Sequence, residues 1–205
     1  MIMRMRLLTI GVVMLILVGQ AGPVPPALAA GPHDRVKETL DAVAAVFHDP
    51  KLQAPDAEGE RKRRVRDIIY DSFHFDEMAP AALGPYWERL TPAQQEEFVR
   101  LFGELFEGSY SRLVLRFLGD RKTTYVSESV EGDRAVVQTL LLGDKDERLP
   151  VEYRLASKGE RWGIVDVVLD GVSLAMNYRS QFGKIIRTST YDTLVQRIRR
   201  KVGSP

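Results

Sequence analysis

The chain has 205 residues, 44% of them hydrophobic, which is enough for one domain with a substantial core. It carries 29 basic and 28 acidic side chains and therefore lacks the broad positive field by which proteins bind nucleic acid. The absence of cysteine excludes disulfide bonds, thiol catalysis and thiolate metal sites.

Residues 1–30 have the pattern of a secretory signal peptide. Two arginines precede an apolar run from Leu7 to Val18, and Ala27 and Ala29 fit the small positions before a cleavage site. The apolar run is about a dozen residues long, shorter than the roughly 20 that a membrane-spanning helix needs. We therefore expect residues 1–30 to be removed and residues 31–205 to form a single exported domain, located in the periplasm.

The first half of the mature chain has helical periodicity. Apolar residues recur at steps of three and four in three segments, residues 33–47, 61–72 and 75–83. The stretch "LTPAQQEEF" then predicts a helix start, with Thr91 as the N-cap, Pro92 at the first helical position and Gln94 three residues after the cap. This helix is predicted to reach about Leu118 and to carry a stripe of large apolar residues.

After the long helix the period of the apolar residues changes from 3.6 to 2. Four strands are predicted, at residues 123–130, 134–142, 148–156 and 161–169. Their short connectors contain glycine and acidic or polar residues, which favours antiparallel hairpins. Two more helices are predicted at residues 172–187 and 191–201. The order predicts an α+β fold, in which helices cover one face of a curved, mostly antiparallel sheet of four to five strands.

The stretch "DGVSLA" raises the question of a nucleophilic serine at Ser173. It approaches the Gly-x-Ser-x-Gly elbow of hydrolases, but Ala175 replaces the last glycine and no histidine follows the serine. Without a base, the hydroxyl is a weak nucleophile. A serine after Asp-Gly is also a common helix N-cap, and we predict that role for Ser173. A small secreted serine hydrolase stays as the alternative.

The three histidines are His33, His48 and His74, and their spacing is not that of metal ligands. His74 and Asp76 could form a catalytic pair, but Asp76 is predicted to cap the short helix at residues 75–83 instead. The sequence thus predicts no catalytic residues, no metal site, no cofactor and no enzymatic activity.

Apart from these residues, the sequence has an excess of large apolar side chains. The simpler interpretation is that they fill the core, as most buried aromatic residues do. The alternative is that the long helix and a half-apolar sheet enclose a cavity for an apolar ligand. The residue pattern alone leaves both possibilities open.

Two blocks of sequence resemble a known family. The first is "FHFDEMAPAALGPYWERLTPAQQEEFVRLFGELFEGSY", from Phe73 to Tyr110, and the second is "WGIVDVVLDGVSLAMNYRSQF", from Trp162 to Phe182. Both are similar to the MlaC family, also called the toluene-tolerance family. The resemblance implies a sheet and helices that enclose an apolar lipid pocket, and a periplasmic carrier with bound phospholipid as its cargo. A carrier for another membrane lipid, such as a hopanoid, is the nearest variant.

The resemblance also implies partners. They are an inner-membrane ABC transporter complex with its membrane-anchored substrate-binding subunit, and an outer-membrane complex of a lipoprotein and a porin. On this interpretation the carrier shuttles lipid between the two complexes and maintains the lipid asymmetry of the outer membrane. The basic run from Arg61 to Arg64 is either a solvated helix face or a docking surface.

We predict the lining of the lipid pocket from the aromatic stripe, the inward positions of the strands and the second block. The predicted lipid-binding residues are Tyr86, Phe98, Leu101, Phe102, Leu105, Val151, Tyr153, Ile164, Val168, Tyr178 and Phe182. Arg179 is expected either to contact a lipid headgroup or to hold helix to sheet by pairing with a carboxylate such as Asp166.

Overall fold

The computed structural model describes residues 30–117, 122–143, 147–159 and 161–203, with the backbone alone for residues 110–117. Residues 1–29 of the expected signal peptide therefore lie outside the described residues. Within them the helices are α1 (Pro32–His48), α2 (Glu58–Ser72), α3 (Phe75–Leu83), α4 (Pro92–Phe117), α5 (Leu174–Thr188) and α6 (Tyr191–Val202). A 3-10 helix at Gly84–Arg89 joins α3 to the segment before α4.

The sheet is an open antiparallel meander. Its strands are β1 (Lys122–Glu131), β2 (Arg134–Leu142), β3 (Arg148–Lys158), β4 (Arg161–Leu169) and β5 (Val172–Ser173), and their spatial order is the chain order. The four long strands confirm the period-2 prediction. The fifth strand has only two residues and pairs with the end of β4, which is too short for a periodic signal in the sequence.

The start of α4 is fixed by a reciprocal pair of hydrogen bonds. The Thr91 N–H donates to Gln94 Oε1 at 2.9 Å, and the Gln94 N–H donates to Thr91 Oγ1 at 3.3 Å. Two backbone donors that the helix leaves without partners are satisfied in this way, and Pro92 at the first position has no N–H to satisfy. The predicted helix start is confirmed.

The register of the sheet changes inside β4. Arg154 of β3 pairs with Asp166, but the next residue, Leu155, pairs with Ile164, so Val165 is an extra residue on β4. An extra residue reverses the face to which the following side chains point. Val167, opposite Tyr153, therefore follows Ile164 on the face that meets the helices.

The core lies between that face of the sheet and the helices. It includes Val137, Val151, Tyr153 and Leu155 from the strands, each at most 2% exposed, as well as buried residues of every helix. α1 packs on β2 and β4, and α5 packs on α3 and β4. The opposite face carries polar side chains such as Gln138 and Arg154, both exposed. This arrangement confirms the α+β fold with helices covering one face.

None of the helices in these described ranges is both long enough and apolar enough to cross a bilayer.

Candidate functional site

A row of buried phenylalanines runs along α4. Phe98, Phe102 and Phe106 are four residues apart and therefore share one helix face. Adjacent ring centroids in the row lie 6.2 Å apart, and none of the three side chains is more than 1% exposed. At the Phe106 end, Phe73 and Phe75 add rings at 5.1 and 5.6 Å. The row is the centre of an extended aromatic core.

α5 joins this aromatic row through two residues one turn apart. Tyr178 meets Phe102 at a centroid distance of 5.3 Å, and Phe182 meets Phe98 at 5.9 Å, both nearly edge to face. Each such pair stabilises the contact by about 0.5–1.5 kcal/mol beyond simple burial of area. These two residues of the second sequence block therefore hold α5 against α4.

Most of the other predicted pocket residues join the same core. Leu101 and Leu105 of α4 are buried, as are Val151, Tyr153 and Ile164 on the core face of the sheet. Tyr86 is partly buried, packs against the edge of this core and has the Arg89 guanidinium 5.5 Å above its ring.

The predicted inward orientation of Val168 is wrong. It was expected to point inward with Ile164, because the two residues are four apart on what reads as one strand. The extra residue at Val165 reverses this order, so Val168 lies opposite Glu152, on the face away from the core. There it lines an open groove of about 400 Å³ together with Leu140 and Pro150.

The aromatic core reaches the surface at a groove between α4, α5 and α6. We call it the α5 groove. Its volume is about 270 Å³, and its described lining is Phe106, Ser109, Leu174, Asn177, Tyr178, Gln181 and Lys201. A second groove of about 350 Å³, between α2, α4 and α6, shares Ser109 and Lys201 with it.

Sequence reasoning missed the polar residues of the α5 groove. Asn177 and Gln181 are one turn apart on α5 and Lys201 is near the end of α6, so only tertiary packing brings them together. The one available signal was the spacing of Asn177, Tyr178 and Gln181, which places all three on one side of α5.

Ser173 is the N-cap of α5, as predicted. Its Oγ accepts a hydrogen bond from the Met176 N–H at 3.1 Å and donates one to Asp166 Oδ2 at 2.6 Å. The other oxygen of Asp166 accepts from the Ala175 N–H at 3.0 Å. The hydroxyl thus holds the helix start to a buried carboxylate.

The prediction for Asp76 was wrong. His74 occupies the N-cap position of α3 and makes no side-chain cap bond, while the Asp76 carboxylate pairs with Lys158 on β3. The His74 ring lies against Gly163, and burial lowers the pKa of the imidazole below its usual value. The Asp76 carboxylate is thus engaged by Lys158, and His74 Nδ1 is buried without a hydrogen-bond partner among the described residues.

Arg179 also has a different neighbour from the one expected. Asp166 is bound by Ser173, by Ala175 and, at 3.5 Å, by Arg154, and Arg179 is absent from this set. The Arg179 side chain instead passes over Gly84, where a Cβ atom would lie 2.6 Å from the guanidinium Nε. The turn after α3 therefore needs glycine both for this approach and for its φ of 61°.

The basic run of α2 is internally paired. Lys62 pairs with Glu58, while Arg63 and Arg64 both bind Glu60. Arg61 donates to the Leu52 carbonyl at 2.7 Å. Such exposed pairs contribute little stability, but they offset part of the positive charge of the run.

Within the part of the chain that the structure describes, no group of three or more His, Asp or Glu residues is arranged to hold a metal ion. What the described residues do form is an aromatic core that opens onto a surface groove.

The fold and this site define an α+β domain whose apolar core lies between helices and one face of an open sheet. The family model described as MlaC protein matches residues 37–200. The chain therefore belongs to the MlaC protein family, which confirms the resemblance of the two sequence blocks.

Two curated relatives and one solved structure are similar to the chain. Toluene tolerance protein ttg2D of Pseudomonas putida is 23% identical over 175 residues, which cover 84% of this chain and 80% of that protein. The intermembrane phospholipid transport system binding protein MlaC of Haemophilus influenzae is 23% identical over 146 residues, covering 69% and 68%. A phospholipid-binding protein from Ralstonia solanacearum, solved in complex with a phospholipid, superposes with a TM-score of 0.68 at 23% identity, covering 86% of this chain and 97% of that one.

Proposed function

We propose that this protein is a periplasmic carrier that binds a phospholipid with its acyl chains among the aromatic residues between α4, α5 and the sheet. The observation that carries the proposal is the α5 groove, where Phe106 and Tyr178 connect the buried aromatic row to the surface. Membership of the MlaC family and the fold shared with a phospholipid-binding protein support it.

The energetics favour acyl chains as cargo. Burial of each CH₂ group is favourable by about 0.8 kcal/mol, so two long chains are held without a charged anchor deep in the protein. The residues proposed to contact them are Phe98, Leu101, Phe102, Leu105, Val151, Tyr153, Ile164, Tyr178 and Phe182, with Tyr86 at the margin.

We propose a binding role and no catalysis. The Ser173 hydroxyl is engaged by Asp166 and Met176, and His74 packs against Gly163, so neither residue has the partner that nucleophilic catalysis requires. The cargo phospholipid is the ligand in this scheme, with no further cofactor.

The proposed partners follow from the family. One relative is named as the binding protein of an intermembrane phospholipid transport system. By analogy, the carrier exchanges lipid with an outer-membrane complex of a lipoprotein and a porin, and with an inner-membrane ABC transporter complex through its membrane-anchored substrate-binding subunit. Such exchange would maintain the lipid asymmetry of the outer membrane.

The cargo can be identified directly. Protein purified gently from a bacterial periplasm is expected to release phospholipid on solvent extraction, as detected by mass spectrometry. Headgroup and chain analysis of the extract separates a phospholipid carrier from a carrier of hopanoids. Repeated lipid-free preparations that also take up no lipid from vesicles would contradict the proposal.

A further inference from the structure

The α5 groove has an apolar floor and a polar rim. Phe106, Leu174 and Tyr178 supply the apolar floor. The four polar side chains of its described lining come from Ser, Asn, Gln and Lys, and each can donate a hydrogen bond. No carboxylate belongs to that described lining, whereas the neighbouring groove contains Glu104 and Glu107. An anionic group fits the α5 groove better than a cationic one.

Lys201 is the charged member of this rim. The described carboxylates include none within salt-bridge distance of its ammonium group, although Arg199, two residues earlier on α6, pairs with Glu97. Lys201 lies in the last turn of its helix, where a positive charge also complements the helix dipole. A test of ligand binding must therefore separate loss of a ligand contact from loss of helix stability.

The amide pair on α5 adds uncharged donors beside Lys201. Gln181 Nε2 donates to Asn177 Oδ1 at 3.2 Å, which orients the Asn177 side chain and leaves its NH₂ group without a partner among the described side chains. Tyr178, the next residue, contacts the ring of Phe102 in the buried row. The amide donor Asn177 is thus next in the chain to Tyr178, whose ring leads into the buried aromatic row.

We propose that the α5 groove is the mouth of the lipid site and binds the phosphate group of the phospholipid through Lys201, Asn177 and Ser109. This inference rests on the proposed carrier function and adds to it a contact shared by all phospholipids. The acyl chains enter past Tyr178 and Phe106. Selection is for the phosphate, and the rest of the headgroup stays in solvent.

The test compares two lipids with identical acyl chains, phosphatidylglycerol and diacylglycerol, extracted from neutral carrier vesicles by delipidated full-length mature protein. Lys201→Gln removes the charge and keeps much of the side-chain length. Because Lys201 is exposed, the change is expected to lower the preference for phosphatidylglycerol about twofold to fivefold, the range for one exposed charge contact. Uptake of diacylglycerol is expected to stay unchanged. Lys184→Gln, which alters an exposed lysine of α5 outside the groove lining, is the control and should leave both uptakes unchanged.

The outcomes are distinguishable. An unchanged lipid preference in Lys201→Gln, or an equal loss of both lipids, overturns the phosphate site while the carrier function stands. Lys201-dependent binding of inorganic phosphate, measured by calorimetry, without any preference for phosphatidylglycerol would also overturn it, because the groove would then be a free-phosphate site. If the parent protein extracts neither lipid, the carrier function itself fails.

Discussion

Ser173 and Asp166 are joined by a hydrogen bond of 2.6 Å that ties the start of α5 to the end of the sheet. The same carboxylate accepts the Ala175 N–H at 3.0 Å, so one buried side chain of β4 holds two donors of the helix start. Because Tyr178 and Phe182 follow within the next three turns, this junction also sets where the aromatic face of α5 lies. A segment that resembles a nucleophile elbow is therefore a structural joint.

Asp166→Ala is expected to destabilise the protein by about 1–3 kcal/mol, because it leaves a buried N–H and a hydroxyl without their acceptor. Urea denaturation followed by circular dichroism measures the change. Asp67→Ala is the matched control, since Asp67 is exposed and its nearest cation, Arg66, is 3.7 Å away. The control should change stability by no more than about 0.5 kcal/mol. Equal effects of the two substitutions would show that the junction is not held by Asp166.

The register of β4 predicts opposite roles for two adjacent valines. Val167 faces the core and is 1% exposed, whereas Val168, although only 8% exposed, points to the other face. A Val→Thr change keeps the shape and adds a hydroxyl, which costs about 1–3 kcal/mol where it is buried without a partner. Val167→Thr should lower both stability and lipid extraction from vesicles. Val168→Thr should leave lipid extraction unchanged, and the reverse pattern would contradict the register.

Gly163 and His74 should show strong energetic coupling. A Cβ atom at Gly163 would lie 2.2 Å from the His74 ring, so Gly163→Ala forces a rearrangement expected to cost about 1–3 kcal/mol. The cost should fall markedly in a His74→Ala background, and a double-mutant cycle of unfolding free energies measures the difference. Gly59→Ala, at a position with open space around it, serves as the control. An additive cycle would mean that the two residues do not constrain each other.

His74 also predicts a pH dependence of stability. Burial, followed by the nearby charge of Lys158, lowers the pKa of His74 in the folded state. The unfolded chain therefore binds a proton first as the pH falls, and the free energy of unfolding decreases from about pH 6.5 downward, until the pH passes below the folded-state pKa. Above about pH 6.5 both states are neutral at this residue, and it makes no contribution to the slope.

The His74→Asn variant isolates this effect. It should reduce the slope of unfolding free energy between about pH 6.5 and 5. Asp71 titrates at lower pH, because its hydrogen bond to Arg35 lowers the pKa of the carboxyl, and its stabilisation is lost only in more acid solution. An unaltered slope in His74→Asn would contradict the lowered pKa of this partly buried imidazole.

Local pattern was sufficient to predict most of the fold. Alternation of apolar and polar residues along β3 identified its buried face correctly. A strand with one solvent-exposed face and one buried face has this two-residue period. The start of α4 was equally accessible, since Thr91, Pro92 and Gln94 are the residues that a helix start requires. Such features depend only on neighbours in the chain.

Features set by tertiary packing could not be predicted from the local sequence in this way. Nothing in "RWGIVDVVL" marks Val165 as the extra residue, so Val168 was assigned to the wrong face. Asp76 lost its expected capping role to an ion pair with Lys158, a residue 82 positions later in the chain. The α5 groove likewise needs α4 and α6 to meet, and the position of Lys201 in the sequence gives no sign of that contact.

The carrier function is tested most directly by transfer of phospholipid from vesicles to the delipidated mature protein, quantified by mass spectrometry after gel filtration. We expect roughly stoichiometric phospholipid bound to the protein peak, with a strong reduction in Val167→Thr and none in Val168→Thr. A protein peak that stays free of lipid, while circular dichroism shows the protein to be folded, would contradict it.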